Sequence, residues 1–152
     1  MAFDMLSKDL QIDLLEKPNL LSVVGSTGYR TWEAARPLAS SLASWPERVQ
    51  GKKVLELGAG TGLLSFLCAK HLNASRVVAT DGDAVTVDRL MISNAHNGFE
   101  KPHAKSKTNF GIFRWGEPFA GTVIGQELNL GLFDIVLAAD VVRSPQVGVV
   151  RY

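Results

Sequence analysis

The chain has 152 residues, of which 46% are apolar and 20% are charged, proportions typical of a single globular domain with an ordinary core. Its formal net charge is +1, which excludes a global basic footprint, so we expect no nucleic-acid partner. No apolar run approaches the ~18 residues that a membrane-spanning helix needs, and the N-terminus lacks a signal-peptide layout. We therefore expect a cytoplasmic protein without a membrane partner.

Cysteine and histidine usage argues against a disulfide and a metal site. Cys68 is the only cysteine, so no internal disulfide forms, and its apolar helical surroundings predict a reduced core residue. The three histidines, His71, His96 and His103, lie without metal-ligand spacing. We expect no bound metal.

Helical patterns dominate the first part of the chain. Apolar residues near helical spacing predict an amphipathic helix over residues 2–16, and turn-forming residues predict a loop over 19–28. Thr31 is a candidate N-cap for a second helix that continues to about residue 43. Pro37 lies past the first turn of that helix, so it predicts either a kink or a later start.

Strands and helices alternate in the middle of the chain. The predicted elements are strands over 53–57 and 76–80 and helices over about 62–72 and 84–96. The second strand leads into Asp81. Asp83 is the predicted N-cap of the following helix, whose Val87, Leu90 and Met91 are expected to point inward.

The third strand is ambiguous, because residues 104–108 and 110–114 both show weak alternation, and we favour 104–108. Glycine-rich residues 116–131 predict a loop. The continuous apolar run 132–139 predicts a fourth strand that ends at Asp140. Strands that alternate with helices predict a parallel sheet with helices on both faces.

The turn after the first strand carries glycine at three alternate positions, Gly58, Gly60 and Gly62. Glycine permits positive φ and close approach of a ligand, and such a turn between a strand and a helix is typical of nucleotide sites. A dinucleotide fingerprint has its third glycine one residue later, where this chain has Leu63. Glu56 suits a positively charged ligand better than a pyrophosphate, which favours S-adenosylmethionine. Dinucleotide binding and a turn without a ligand are the alternatives.

Further candidates lie where the other strands end, because ligands of open α/β sheets bind beyond the carboxyl ends of the strands. The carboxylate of Asp81 can accept both hydroxyls of a ribose, and an ordinary turn aspartate is the alternative. Trp115 and Trp32 offer flat faces for adenine, with a core or lid tryptophan as the alternative. Asp140 is a candidate to orient a nucleophile, or it simply ends its strand.

Three segments together resemble the seven-β-strand protein-lysine methyltransferases. They are residues 26–35 (STGYRTWEAA), 54–63 (VLELGAGTGL) and 137–142 (LAADVV). Many Rossmann-like methyltransferases share the glycine pattern. Three further elements make the resemblance to this family more specific: Trp-Glu-Ala-Ala at 32–35, Trp-Gly at 115–116 and Ala-Asp-Val-Val at 139–142. The first segment is most similar to the branch that methylates a lysine of eukaryotic elongation factor 2. The resemblance runs over about residues 17–142.

This resemblance implies an α/β, Rossmann-like fold, S-adenosylmethionine as the cofactor and a protein substrate, elongation factor 2 or a similar translation factor. Residues 1–152 would form one partial methyltransferase domain, with an N-terminal helical segment 1–46 and a Rossmann-like core 52–142. Asp140 would be the catalytic residue beside the acceptor lysine. The residues expected at the cofactor, Glu56 from its charge and the others from their positions in the family, are Trp32, Glu56, Gly58, Ala59, Gly60, Asp81, Trp115 and Ala139.

The chain departs from the family after Asp140. The family's Asp-x-x-Tyr motif would place a tyrosine where this chain has Arg143, and the family fold has three further strands after the fourth. We therefore expect a C-terminally truncated domain whose fourth strand is an open, aggregation-prone sheet edge. An inactive S-adenosylmethionine-binding pseudo-enzyme is the alternative function. A nicotinamide-dependent oxidoreductase and a nucleic-acid methyltransferase fit the motifs less well.

Overall fold

The computed structural model describes residues 10–16, 30–103, 105–139 and 141 of the chain. Its strands are β1 (Lys53–Leu57), β2 (Arg76–Asp81), β3 (Thr108–Ile112) and β4 (Ile135–Ala138). Its helices are α1 (Ala35–Ser44), α2 (Leu63–Lys70), α3 (Ala84–His96) and α4 (Val123–Leu128), with a short 3-10 turn at Pro46–Arg48. The four strands form one sheet in the order β3-β2-β1-β4. None of the helices in the described part of the chain is long and apolar enough to cross a membrane.

Helices cover both faces of this sheet. Val54 and Val77 belong to an apolar cluster that includes residues of α1 and α2, and a neighbouring cluster continues onto α3. The next residues along each strand, Leu55 and Val78, pack instead against Ile124 of α4. Because successive strand residues point to opposite faces, α1, α2 and α3 lie on one face and α4 on the other. The predicted parallel sheet with helices on both faces is confirmed.

The register of the strands brings their carboxyl ends to one edge of the sheet. Leu57 of β1 lies beside Thr80 of β2 and Ala138 of β4. Asp81 of β2 lies beside Ile112 of β3. The segments that follow all four strands therefore leave from this carboxyl edge, where ligands of open α/β sheets bind.

The opposite, amino edge is held by a buried network around Glu127 of α4. Its carboxylate accepts hydrogen bonds from Arg76 Nε at 2.8 Å and from Asn109 at 3.2 Å, and the Lys53 ammonium lies 3.4 Å away. Burial pushes the pKa of Glu127 upward, but the hydrogen bonds from Arg76 and Asn109 and the two nearby positive charges outweigh it, so the pKa is lowered. The network ties α4 to the first three strands.

Residues 10–16 form neither helix nor strand, so the helix predicted over 2–16 is wrong in the part that the structure describes. Residues 1–9, and the predicted loop over 19–28, lie outside the described residues. The prediction fails because of a tertiary contact. A side chain distant in sequence forms hydrogen bonds with backbone groups that would pair with each other within a helix. The Asn97 amide donates to the Asp13 carbonyl at 2.7 Å and accepts the Asp13 N–H at 3.0 Å.

Helix α1 begins at Ala35, so the predicted cap at Thr31 is wrong. The Thr31 hydroxyl is instead bonded to Glu16 and Thr61. Pro37 occupies the third helical position, where a missing N–H removes no intrahelical bond. Of the two outcomes predicted from this proline, the later start is confirmed.

The elements between residues 53 and 98 agree closely with their prediction. β1 has the predicted bounds, and Asp83 caps α3 by accepting the Thr86 N–H at 3.0 Å. Met91, expected to point inward, is 43% exposed because it lies beside the buried stripe formed by Val87 and Leu90 rather than in it.

The elements after residue 98 differ from their predictions. β3 spans Thr108–Ile112, so of the strand predicted over 104–108, residues 105–107 are not strand and only residue 108 is, while residue 104 lies outside the described residues. The predicted loop over 116–131 contains the short helix α4, which buries Ile124 and Glu127 and so depends on tertiary packing. β4 is shorter than predicted and lies at one end of the described sheet, with Val136 57% exposed.

Candidate functional site

The turn between β1 and α2 is built on positive backbone angles. Gly58, Gly60 and Gly62 have φ of +64°, +54° and +84°, which residues with a Cβ rarely adopt. Space is also limiting at Gly62, since a Cβ there would lie 2.6 Å from Leu90 Cδ2 and 2.7 Å from Phe66 Cε2. Glycine is therefore required for conformation and, at the third position, for close packing of the turn on α2 and α3.

Asp81, the last residue of β2, holds this turn from the neighbouring strand. Its Oδ2 accepts the Gly60 N–H at 3.0 Å and its Oδ1 accepts the Asp83 N–H at 3.1 Å. The turn is also held through Ala59, whose N–H donates to the Thr80 carbonyl at 2.9 Å. Burial raises the pKa of the Asp81 carboxyl, although the backbone hydrogen bonds oppose it. A carboxylate has about four lone-pair sites, so Asp81 keeps acceptor capacity for a ligand.

Glu56 is buried behind the turn, with 3% of its surface exposed. Its Oε2 accepts both the N–H of Ser65, at 2.9 Å, and the Ser65 hydroxyl. Ser65 lies in the first turn of α2, so the carboxylate satisfies a helix donor that has no intrahelical partner. Burial raises the pKa of Glu56 from 4.5 to about 7, against the effect of these hydrogen bonds. Direct contact between Glu56 and a cofactor stays a prediction.

Trp115 follows β3 and lies along the carboxyl edge near Asp81. The Phe113 N–H donates to the Asp81 carbonyl at 2.9 Å. The rings of Phe113 and Trp115 meet edge to face with centroids 6.0 Å apart. Trp115 is nevertheless 53% exposed, so much of its indole surface is available for stacking.

Trp32 reaches the site from the N-terminal side. It is half-buried, and the Arg30 guanidinium lies 4.9 Å from its ring centroid. The hydroxyl of Thr31 is 2.8 Å from the hydroxyl of Thr61, which lies between two glycines of the turn. Glu16 in turn accepts the Thr31 N–H at 2.9 Å. Sequence reasoning missed the roles of Glu16 and Thr61, because contacts across 15 and 30 positions leave no periodic signal.

The segment after β4 approaches the turn as well. Ala139 is half-buried against the α1–α2 cluster. Val141 lies so close to Gly58 that a Cβ on this glycine would be 2.8 Å from Val141 Cγ1. Asp140 and Arg143 lie outside the described residues, so the role expected for each stays a prediction.

The structure thus brings most of the predicted site residues together at the carboxyl edge. The contacts of these residues with a cofactor stay predictions. Among the described residues, no group of three His, Cys, Asp or Glu side chains is placed to hold a metal ion. Cys68 is buried in α2, and burial raises the pKa of its thiol to about 12. The arrangement offers a glycine turn, an acidic acceptor and an exposed aromatic ring, a set suited to a nucleoside-containing ligand.

The chain belongs to the lysine methyltransferase family, whose profile matches residues 18–146. Protein-lysine N-methyltransferase EFM3 of Chaetomium thermophilum is 40% identical to it over 130 residues, which cover 86% of this chain and 38% of that protein. EFM3 of Saccharomyces cerevisiae is 31% identical over 154 residues, covering 92% and 42%. Protein-lysine N-methyltransferase EEF2KMT of Mus musculus is 31% identical over 123 residues, covering 77% and 35%. The chain therefore matches about two fifths of the length of these relatives.

A solved structure supports the fold. SMU.776, assigned as a methyltransferase and solved in complex with SAH, superimposes with a TM-score of 0.52 at 15% sequence identity. The match covers 70% of this chain and 25% of that one. The predicted Rossmann-like methyltransferase fold is confirmed.

Proposed function

We propose that the protein is an S-adenosylmethionine-dependent protein-lysine N-methyltransferase that acts on elongation factor 2 or a similar translation factor. The observation that carries this proposal is the 3.0 Å bond from the Gly60 N–H to the Asp81 carboxylate, which joins the glycine turn to an acidic acceptor on the adjacent strand. Membership of the lysine methyltransferase family supports the class of reaction. The site of action would be the cytoplasm, where translation factors work.

The residues at the carboxyl edge fit this cofactor. Asp81 would accept the ribose hydroxyls through its remaining lone pairs, and Trp115 would stack on adenine. The backbone of Gly58–Gly60 would contact the methionine part, with Trp32 and Ala139 at its borders. When bound, S-adenosylmethionine supplies a methyl group carried on a sulfonium.

The protein's own task is to bind and orient an amine. A free lysine has a pKa near 10.4, so presenting its neutral form at pH 7 costs roughly 4–5 kcal/mol. Asp140, the residue after Ala139, would accept a hydrogen bond from the amine and direct its lone pair toward the methyl group. Glu56, buried behind the turn, would favour the positive charge of the cofactor when it is ionised.

The acceptor is proposed from two kinds of support. The relatives named EFM3 and EEF2KMT are protein-lysine N-methyltransferases, which supports a lysine in a protein as the acceptor. The choice of elongation factor 2 rests on the segment around Trp32 and its likeness to the branch that modifies this factor. Since the chain matches two fifths of those relatives, its activity is itself part of the proposal.

Two measurements test the proposal. Calorimetry with S-adenosylmethionine and, separately, with NAD is expected to detect binding of the first only. Incubation with elongation factor 2 and methyl-labelled cofactor is expected to label the factor, whereas Asp140→Asn is expected to bind the cofactor without labelling. Cofactor binding by the wild type, with no labelling of elongation factor 2 or of any protein in a cell lysate, would identify the pseudo-enzyme instead, which Arg143 at the family's tyrosine position favours. Failure to bind S-adenosylmethionine would overturn both readings.

A further inference from the structure

Residues 10–16, here called the N-terminal strap, are attached to the face formed by α2 and α3. His71 contacts the Gln11 carbonyl at 3.0 Å, Arg89 donates to the Leu15 carbonyl at 2.7 Å, and Asn97 pairs with both backbone groups of Asp13. Two apolar residues of the strap, Ile12 and Leu14, pack on the core between these helices. The strap is therefore fixed along its length by contacts outside itself.

The strap ends at Glu16, whose carboxylate starts a chain of hydrogen bonds into the glycine turn. Glu16 Oε1 accepts the Thr31 N–H at 2.9 Å and also the Thr31 hydroxyl. The Thr31 hydroxyl has a single proton, and a carboxylate only accepts. Thr61, whose Oγ1 lies 2.8 Å from that of Thr31, must therefore be the donor in the second bond. Thr61 therefore donates a hydrogen bond to Thr31, and Thr31 donates one to Glu16.

This chain of bonds joins two parts of the site, residues 30–34 and 58–62, that both lie outside the strands and helices. Thr31 directly precedes Trp32. Thr61 lies between Gly60 and Gly62, and because glycine has no Cβ this part of the backbone has little intrinsic rigidity. We infer that Glu16 is a positioning residue for cofactor binding, which fixes the glycine turn against the segment that carries Trp32. The inference rests on the proposed function.

The first test is calorimetry with S-adenosylmethionine on Glu16→Ala and Glu16→Gln variants. Glu16→Ala is expected to weaken binding roughly three- to tenfold, a modest loss because the bond is partly exposed to water. Glu16→Gln keeps an acceptor oxygen and is expected to recover part of that loss. Glu47→Ala, an exposed glutamate before β1 at the amino edge, is the matched control and should bind like the wild type. Wild-type affinity in Glu16→Ala would overturn the inference.

The second test needs no cofactor, so it separates this inference from the proposed function. Hydrogen exchange of the unliganded protein is expected to rise in the peptide spanning residues 58–64 when Glu16 becomes alanine, with little change in the central strand β1. If exchange rises only within the strap, Glu16 holds its own segment and the inference fails. If the wild type binds no S-adenosylmethionine but the turn still loosens, the proposed function fails and the link between Glu16 and the turn stands.

A double-mutant cycle tests the route. Thr61→Val removes the hydroxyl and keeps the shape, so it breaks the last bond of the chain. If Glu16 acts through Thr61, the double variant binds S-adenosylmethionine no more weakly than the weaker single variant. Losses that multiply would show that Glu16 acts by another route and would overturn the inference.

Discussion

The backbone N–H of Gly60 donates to the carboxylate of Asp81 at 3.0 Å, joining residues that are 21 positions apart in the chain. The bond forms because β1 and β2 are parallel neighbours in register, with Leu57 beside Thr80. Asp81 therefore holds the glycine turn in place and, in the proposed function, presents its remaining lone pairs to the ribose. Substitutions around this bond can therefore change cofactor binding, the stability of the fold, or both.

Replacing Asp81 by asparagine is expected to weaken S-adenosylmethionine binding by about 10- to 100-fold, because hydrogen bonds to a charged group contribute roughly 1.5–3 kcal/mol. Calorimetry measures the change. Asp134→Asn is the matched control, since Asp134 Oδ2 accepts the Lys53 N–H at 2.7 Å at the other end of the sheet. Equal losses in the two variants would argue for a general effect on folding rather than a role in binding.

Trp115→Ala is expected to weaken binding of the same cofactor by about 5- to 150-fold with little change in stability, because aromatic stacking on a base contributes roughly 1–3 kcal/mol. Trp45→Ala provides the comparison: Trp45 is also 53% exposed but directly precedes the 3-10 turn that leads to β1, on the side away from the carboxyl edge. An unchanged dissociation constant in Trp115→Ala would remove this ring from the site.

Glu56 predicts a pH dependence of stability. Its pKa in the folded protein, about 7, lies above its ordinary value of 4.5 because the carboxyl is buried. Between these values the folded state holds a proton that the unfolded state has released, so the free energy of unfolding falls as the pH rises through this window. The fall attributable to Glu56 is about 3 kcal/mol, and it levels off above the folded pKa.

Urea unfolding at several pH values between 4 and 8 checks this dependence. Glu56→Gln is expected to lose most of the slope, with a smaller remainder of the same sign from Asp81, whose pKa is also raised. Glu47→Gln, at an exposed position, should keep the wild-type slope. Parallel curves for Glu56→Gln and the wild type would show that Glu56 has the same pKa in the folded and the unfolded protein, so that burial does not raise it.

Gly62→Ala is expected to destabilise the protein by roughly 2–5 kcal/mol. The left-handed backbone costs about 1–2 kcal/mol for a residue with a Cβ, and the clash with Leu90 and Phe66 adds an overpacking cost of about 1–3 kcal/mol. Gly98→Ala separates the two costs, because Gly98 has φ +82° but open space around it. Denaturant unfolding should give Gly62→Ala a clearly lower free energy of unfolding than Gly98→Ala. Equal values would mean that the clash with Leu90 and Phe66 adds no cost beyond that of the backbone conformation.

Glu127→Ala is expected to destabilise the protein by up to about 3–5 kcal/mol, since it leaves the partly buried guanidinium of Arg76 without its carboxylate partner. Because the network lies at the amino edge, the affinity for S-adenosylmethionine should be unchanged at a temperature where the variant is folded. Unfolding and calorimetry on one preparation measure both quantities. A loss of affinity without a loss of stability would contradict this separation of the two edges.

The sequence determined the central part of the molecule because the signals there are local. The bounds of β1, the cap at Asp83 and the need for glycine in the turn follow from residue chemistry over a few positions. Asp81 and Trp115 could be placed at one edge because parallel strands end at the same side of a sheet.

Tertiary structure decided what local patterns could not encode. Residues 10–16 have helical spacing but bond to Asn97 and its neighbours instead, and α4 forms in a glycine-rich stretch because Ile124 and Glu127 are buried there. The hydrogen-bond partners of Glu56 and Glu16 depend on the placement of helix α2 and of the strap, which the tertiary fold decides. Side chains that meet across many residues satisfy one another's hydrogen bonds in ways that no single stretch of sequence specifies.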